Sequence, residues 1–297
     1  MRIRLIDIDS KIPNLALMKL SAHHKARGDS VSFDEPDPDR VCASVVFRAN
    51  AWKARGLRFM FPNAEIEIGG TGIDLAKRLP DEIEFCKPDY DLYPDAAYSL
   101  GFTTRGCIRR CPFCVVPEKE GKIRRWQHIR EWHDDRFNSV VCLDNNVYAD
   151  REWFFTNTDY VLESGLKYNA IQGMDIRILD EEIAGRLADL KWSGQMHFAF
   201  DRIQDEPAIR RGIQLLQDAG IRTRHDVSVY VLVGFDSTEE EDKRRCRLLK
   251  DLGATPFVMQ YKRTPWTRRV AWWANRPQVF WSCDIDQVDR SKNRVTA

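Results

Sequence analysis

Six short apolar runs rich in β-branched or aromatic residues recur along the chain. They fall at Tyr98–Thr103, Ser139–Asp144, Tyr168–Gln172, Met196–Asp201, Val227–Gly234 and Pro256–Tyr261. Their starts lie roughly 30 residues apart, the length of a parallel βα unit. Helical patterns separate them. Glu181–Leu190 carries Ile183, Ala184, Leu187, Ala188 and Leu190, and Glu206–Ala219 carries Ile209, Ile213, Leu215 and Leu216 before Gly220 stops it. Glu239–Leu252 opens acidic and closes basic ahead of Gly253, the charge order that the helix dipole favours. Six such units make a parallel sheet, either open or curled into a partial barrel.

A smaller α/β stretch precedes the series. Arg2–Asp9 reads as a strand and Asn14–Arg27 as a helix ended by Gly28. Val41–Phe47 and Ala64–Ile68 read as strands, the second running into Gly69-Gly70-Thr71-Gly72. The expected fold class is α/β, a partial (βα)6 barrel preceded by a small flavodoxin-like α/β segment. The expected division is 1–87 for that segment, 88–96 for a Pro-bounded linker, 97–263 for the barrel, and 264–297 for a Trp- and Arg-rich tail covering the barrel.

Composition narrows the class. Of 297 residues 43% are apolar and 31% charged, which excludes disorder as the main state. Lys plus Arg number 46 against 45 Asp plus Glu, so a polybasic coat is excluded and only a local basic patch remains open. Val229–Phe235, the longest apolar stretch, is too short to cross a bilayer. The opening residues lack the apolar core of a signal peptide. A cytoplasmic protein with no membrane partner is expected, its eight Cys acting as reduced thiols or metal ligands.

Three of those Cys stand close together. Gly101-Phe-Thr-Thr-Arg-Gly-Cys107-Ile-Arg-Arg-Cys111-Pro-Phe-Cys114 places them at C-x3-C-x2-C just after the first strand of the series. Loops at the C-terminal ends of parallel strands are where α/β folds put their chemistry. Three thiolates can hold three irons of a 4Fe–4S cubane, whereas an electron-transfer cluster takes four Cys, so one iron is left open for a small chelating ligand. Arg105, Arg109 and Arg110 would offset cluster charge, and Gly106 lets the backbone approach closely.

Two other readings compete. Cys111, Cys114, His128 and His133 match the spacing of a zinc finger, a metal- or nucleic-acid-binding module. Such a finger is a free-standing ββα unit, and this match is embedded in a βα series and leaves Cys107 unused. A helix with Ile123, Trp126, Ile129 and Trp132 on one side would instead carry both His on its surface. Three buried structural thiols are the other alternative, but three Cys within eight residues among Gly and Arg is not a core pattern. Cys42, Cys86, Cys142, Cys246 and Cys283 are scattered and read as core thiols.

The C-x3-C-x2-C signature, with Phe113 before the third Cys, resembles that of the radical S-adenosylmethionine (SAM) enzymes over about residues 97–263. The resemblance implies a partial barrel of six βα units and a 4Fe–4S cluster on Cys107, Cys111 and Cys114. It also implies SAM bound at the open iron and cleaved by one electron to methionine and a 5′-deoxyadenosyl radical. An iron–sulfur protein without SAM chemistry is the rival within this reading. The family's Gly-Gly-Glu segment after the second strand is replaced here by Leu143-Asp144-Asn145-Asn146, so Asn145 and Asn146 become the candidates for the SAM ammonium. Gln172-Gly-Met-Asp175-Ile-Arg177 is similar to the family's Gln-Gly-x-Asp-x-Arg. It makes Gln172 and Arg177 candidates, Arg177 for the SAM carboxylate, unless Arg177 pairs with Asp175. Asp201 is a candidate for the ribose, or else a helix N-cap. The run ending at Gly234 is a candidate for the adenine, or else a buried strand.

The N-terminal segment weakly resembles a cobalamin-binding module through Pro13–Leu20, Gly28-Asp-Ser-Val and Ile66–Gly72. No Asp-x-His-x-x-Gly accompanies it, and cobalamin is the less favoured cofactor. Arg263, Arg268, Arg269 and Arg276, interleaved with Trp266, Trp272 and Trp273, suit either a nucleic-acid contact or a cover over the open barrel edge, and the cover is favoured. The substrate stays open among nucleic acid, peptide and small metabolite. The resemblance also implies an electron donor such as flavodoxin or ferredoxin.

Overall fold

The computed structural model describes residues 1–289 and 294–295, so the end of the expected tail, 290–293 and 296–297, lies outside the described residues. The N-terminal strands are β1 (Arg2–Asp7), β2 (Ser30–Ser32), β3 (Arg40–Ser44) and β4 (Glu65–Gly69). All pair in parallel, in the order β2-β1-β3-β4. Helix α1 (Leu15–Ala26) starts where Asn14 accepts a hydrogen bond from the Leu17 N–H. It lays Leu17 and Met18 against Ile3 and Leu5 of β1.

The second layer holds β5 (Ser99–Gly101), β6 (Ser139–Cys142), β7 (Lys167–Ala170), β8 (Met196–Ala199), β9 (Val227–Val233) and β10 (Thr255–Gln260). They pair in parallel as β5-β6-β7 and β8-β9-β10. One parallel bridge, Met174 with Phe198, joins the two groups. The contact there is short because Lys191–Trp192 first pairs with the start of β7, before the chain continues into β8. Among the described residues no pairing joins β5 to β10, so the series is open rather than closed.

Helices α2 (Arg151–Glu163), α3 (Glu181–Asp189), α4 (Glu206–Asp218) and α5 (Glu239–Asp251) alternate with these strands. Asp150, Asp180 and Thr238 cap α2, α3 and α5 by accepting from backbone N–H groups of the first turn. Alternate strand residues, such as Val140 and Cys142 on β6 or Val227, Val229, Val231 and Val233 on β9, share one core with Phe154, Leu187, Ile213 and Leu249 of the helices. No helix among the described residues is long and apolar enough to cross a membrane.

Three expectations change in detail. Each expected strand of the series overruns its C-terminal end by one or two residues, because those residues turn into the loops described below. The expected helix around His128 is one turn, Ile129–Trp132, with His128 as its N-cap and His133 as its C-cap. Ile123 and Trp126 lie before it. The stretch read as a linker is packed: Tyr90 and Leu92 are buried with Leu17, Leu100 and Val141, and the Tyr90 hydroxyl donates to the Trp132 carbonyl at 2.6 Å.

The C-terminal helices α6 (Pro265–Ala274) and α7 (Pro277–Ser282) sink Val270, Ala271, Trp273 and Phe280 into the main core. Between them, the Asn275 side chain accepts from the Val258 N–H at 2.6 Å and donates to the Val258 carbonyl at 3.0 Å. It takes the place of a strand neighbour on edge strand β10.

Candidate functional site

The cysteine loop leaves β5 through a buried clamp. Asp144, just past β6, accepts from the Thr103 N–H at 3.0 Å, the Thr103 hydroxyl at 2.6 Å, the Thr104 hydroxyl at 2.7 Å and the Thr104 N–H. Burial pushes its carboxyl up and these four donors oppose that push. Thr104–Arg105 then pairs antiparallel with Arg124–Arg125, closing the base of the loop.

Gly106 follows at φ +82°, where a Cβ would collide with the Lys122 carbonyl. Glu120 holds this turn. Its carboxylate accepts from the Gly106 N–H at 3.0 Å and from Asn145 Nδ2 at 2.9 Å, and it pairs with Arg105 at 3.1 Å. Burial alone would raise the Glu120 pKa. The Arg105 charge, the Gly106 N–H and Asn145 outweigh burial and hold it below the usual carboxylate range.

Cys107 and Cys111 are half-buried, Cys114 is exposed, and none is in a disulfide. The Arg109 N–H lies 3.4 Å from Cys107 Sγ, and the Cys114 N–H donates to the Cys111 carbonyl at 3.0 Å. Burial raises the Cys111 and Cys114 thiols, the other thiols add to it, and the Arg177 charge pulls Cys111 back. Among the described residues no three His, Cys, Asp or Glu side chains close into one metal-binding group. The three thiols share a loop without converging on a point.

The remaining candidates surround this loop at the C-terminal ends of β6 to β9. Asp175 accepts from Arg109 Nε and from Arg177 Nε, both at 2.6 Å, so a buried carboxylate ties the cysteine loop to the turn after β7. Burial pushes its pKa up, and Arg177 and Arg109 bring it below the usual range. The expected alternative of an Asp175–Arg177 pair is thus present, and Arg177 also reaches Asp205 at 3.4 Å. Asn146 is buried, and its side-chain oxygen accepts from the Asp175 N–H at 3.4 Å. Asn145 turns to Glu120. Gln172 is exposed, with no hydrogen bond among the described residues.

Asp201 is not a helix cap. A 3-10 turn, Ile203–Asp205, intervenes, and Asp205 rather than Asp201 precedes α4. Asp201 accepts from the Leu232 N–H at 3.3 Å, and burial pushes its carboxyl up. Gly234 ends β9 at φ +76°. Phe113 meets Phe235 edge-on at 5.5 Å, and Phe235 meets Tyr261 at 4.8 Å, an aromatic row from the cysteine loop across the ends of β9 and β10.

The zinc-finger residues do not assemble. His133 is buried beside Ser99 at the start of β5, 3.0 Å from its hydroxyl, and burial lowers its pKa. It is therefore not a surface residue as expected from sequence. In the tail, Trp273 is buried and donates to the Cys283 carbonyl, Trp266 donates to Asp242, and Arg269 donates to the carbonyls of Ile285 and Val288. Trp266 and Trp272 stay partly open while packing against the core, Trp272 with Arg276 over it at 4.9 Å.

The Gly-rich turn after β4 serves packing. A Cβ on Gly70 would collide with the Val45 carbonyl, and one on Gly72 would lie 2.8 Å from Phe47 backbone. Asp9 lines the crevice between the ends of β1 and β3, accepting from the Val46 N–H at 2.7 Å, the Phe47 N–H at 3.0 Å and Asn50 Nδ2 at 3.0 Å. In a doubly wound sheet that crevice, where strand order reverses, is where a ligand sits.

Sequence reasoning missed Glu120 and the inward role of Asp144. Glu120 sits in Pro-Glu-Lys-Glu-Gly-Lys, which looks like any solvated turn. Asp144 adjoins the family's SAM segment, which drew the reading outward.

No family model matches the chain. Among curated proteins, the sodium channel protein type 3 subunit alpha of Mus musculus and of Rattus norvegicus each share 35% identity over 69 residues, and that of Homo sapiens 33%. These matches take in 23% of this chain and 3% of the channel proteins' length. A solved structure of the radical SAM methyltransferase TsrM from Kitasatospora setae, with cobalamin and a [4Fe-4S] cluster bound, superposes with a TM-score of 0.68. It covers 89% of this chain and 76% of its own at 14% identity. The chain therefore shares the α/β fold of that structure, with parallel sheets that, among the described residues, do not close into a barrel.

Proposed function

We propose that the chain is a radical SAM enzyme whose Cys107, Cys111 and Cys114 hold a 4Fe–4S cluster. The observation that carries this reading is the placement of three free thiols, spaced C-x3-C-x2-C, on the loop after β5 of this fold. The donor set fits the group: three thiols on one loop, flanked by Arg105 and Arg109, with no fourth Cys beside them. When bound, the cluster supplies one electron to SAM, whose cleavage yields methionine and a 5′-deoxyadenosyl radical.

The chain's own residues orient the reactants. Asp144 and Glu120 fix both ends of the loop base, so the thiols are presented from a rigid turn. Arg177 spends Nε on Asp175 and Nη1 on Asp205, and its Nη2 is the group left for the SAM carboxylate. Asn146 stays a candidate for the ammonium, whereas Asn145 acts through Glu120. Asp201 keeps one carboxylate oxygen unpaired for the ribose hydroxyls. Phe113, Phe235 and the backbone at Gly234 form the apolar wall for the adenine. A small one-electron carrier such as flavodoxin or ferredoxin is the proposed donor, and the cytoplasm, where thiols stay reduced, the proposed location.

Cobalamin is the less favoured cofactor: Gly70 and Gly72 pack against Val45 and Phe47, and Asp9 is taken up by the Val46 and Phe47 N–H groups, so no residue of this module is assigned to it.

Anaerobic reconstitution tests the proposal. The unmutated protein should bind about four irons per chain. Cys107→Ala, Cys111→Ala or Cys114→Ala should each abolish this, and His128→Ala should not. A colourless protein that holds one zinc and loses it on His128→Ala would overturn the reading.

A further inference from the structure

The N-terminal module carries a surface that the proposed chemistry does not use. From Arg40 to Ala64 the sequence has no acidic residue. Within it, a 3-10 segment, Arg48–Gly56, runs into a helical turn, Leu57–Met60. Ala54 and Leu57 bury themselves with Ala43 and Val45, and Asp9 pins the start of the segment. The outer face is thus mounted firmly without needing a ligand.

That face combines bare rings with unpaired cations. Trp52 is 63% exposed and Phe59 89%. Arg48, Arg55 and Arg58 are exposed and make no hydrogen bond, ion pair or ring contact among the described residues. Most arginines of this chain pair with carboxylates or carbonyls, so three unpaired ones in one segment mark a site for an external anion. In a 3-10 helix residues i and i+3 lie one above the other, so Trp52 and Arg55 share a face, and Arg58 continues the row into the next turn.

We infer that residues 47–60 bind single-stranded nucleic acid, Arg48, Arg55 and Arg58 neutralising phosphates while Trp52 and Phe59 stack on bases. Along a single strand, phosphates and unpaired bases alternate over a few ångströms, which matches exposed cations and rings interleaved along one short segment. An amphipathic helix that lies in a lipid interface instead separates its cations from its apolar residues on opposite faces. The inference stands apart from the cluster, because none of these residues belongs to the cysteine loop.

Fluorescence anisotropy with a labelled single-stranded RNA of about 15 nucleotides, long enough to span one such platform, tests it on the full chain. Affinity should fall between about 50 and 200 mM salt with a log–log slope of roughly −2, as three phosphates require. Trp52→Ala should weaken binding roughly 5- to 150-fold and leave the slope unchanged. Arg55→Ala should reduce the slope by about 0.7. Both positions are exposed, so the thermal melt should not move. Iron-free protein should bind equally, which separates failure here from failure of the proposed radical chemistry. No binding at low salt, binding indifferent to both substitutions, or binding to phosphatidylserine vesicles without binding to RNA would each overturn the inference.

Discussion

Glu120 is a buried carboxylate among three donors, and removing its charge leaves them unmatched. Glu120→Gln is expected to cost about 1–3 kcal/mol and to loosen the Gly106 turn. Denaturant titration reads the stability, and thiol labelling of Cys107 should accelerate. Its folded pKa lies below the unfolded value, so its contribution is complete above about pH 4.3 and fades as the pH falls through the folded pKa. The Gln variant should therefore lose part of the acid sensitivity between about pH 5 and 3, and an unchanged acid profile would refute this role. At this scale the sequence was legible where chemistry demands a rare spacing, as in Cys107, Cys111 and Cys114. It was silent where an ordinary residue acquires its role by folding. Glu120 meets Gly106 across 14 positions, and nothing in either local pattern signals the contact.

The elements explain why the site lies where it does. Strands β5 to β9 end just before Phe102, Leu143, Ile171, Phe200 and Gly234, and the residues beyond leave the ladder to bind one another. Sequence patterning registers apolar alternation but not the hydrogen bonds that end a strand, so expected strands ran into the site. The helices were more legible, since Asp180, Thr238 and the acidic first turns announce their starts. The tail's role on β10 was legible only in outline. Asn275→Ala should leave the Val258 N–H and carbonyl without their partner, destabilising the chain by about 1–3 kcal/mol. The bared edge should also promote self-association, read by light scattering. Unchanged stability and scattering would show that Asn275 does not protect that edge.

At the scale of the whole molecule, the N-terminal sheet and the six-strand series unite through one apolar cluster. Leu17 and Met18 of α1, Tyr90 and Leu92 of the connecting stretch, and Leu100 and Val141 of β5 and β6 belong to it. Lys19 joins this contact, buried between the Glu84 carbonyl and carboxylate and Gln127, and burial lowers its pKa. The two layers should therefore unfold together in one calorimetric transition, and Leu100→Ala should cost about 2–5 kcal/mol while keeping it single. Two transitions in the unmutated chain would contradict a shared core. The join was hidden in sequence because Pro88-Asp-Tyr-Asp-Leu-Tyr-Pro94 shows neither helical nor strand periodicity, although its Tyr90 and Leu92 are buried.

The central claim is that this α/β frame presents three thiols for radical SAM chemistry. Its most direct test is the amount of 5′-deoxyadenosine formed when anaerobically reconstituted protein is reduced with dithionite in the presence of SAM. The unmutated protein should form it in a time-dependent manner. Arg177→Ala should keep its iron and form far less, through weaker SAM binding by roughly 10- to 150-fold for the loss of a charged contact. Protein fully loaded with iron and sulfide that binds no SAM and forms no 5′-deoxyadenosine would contradict the claim.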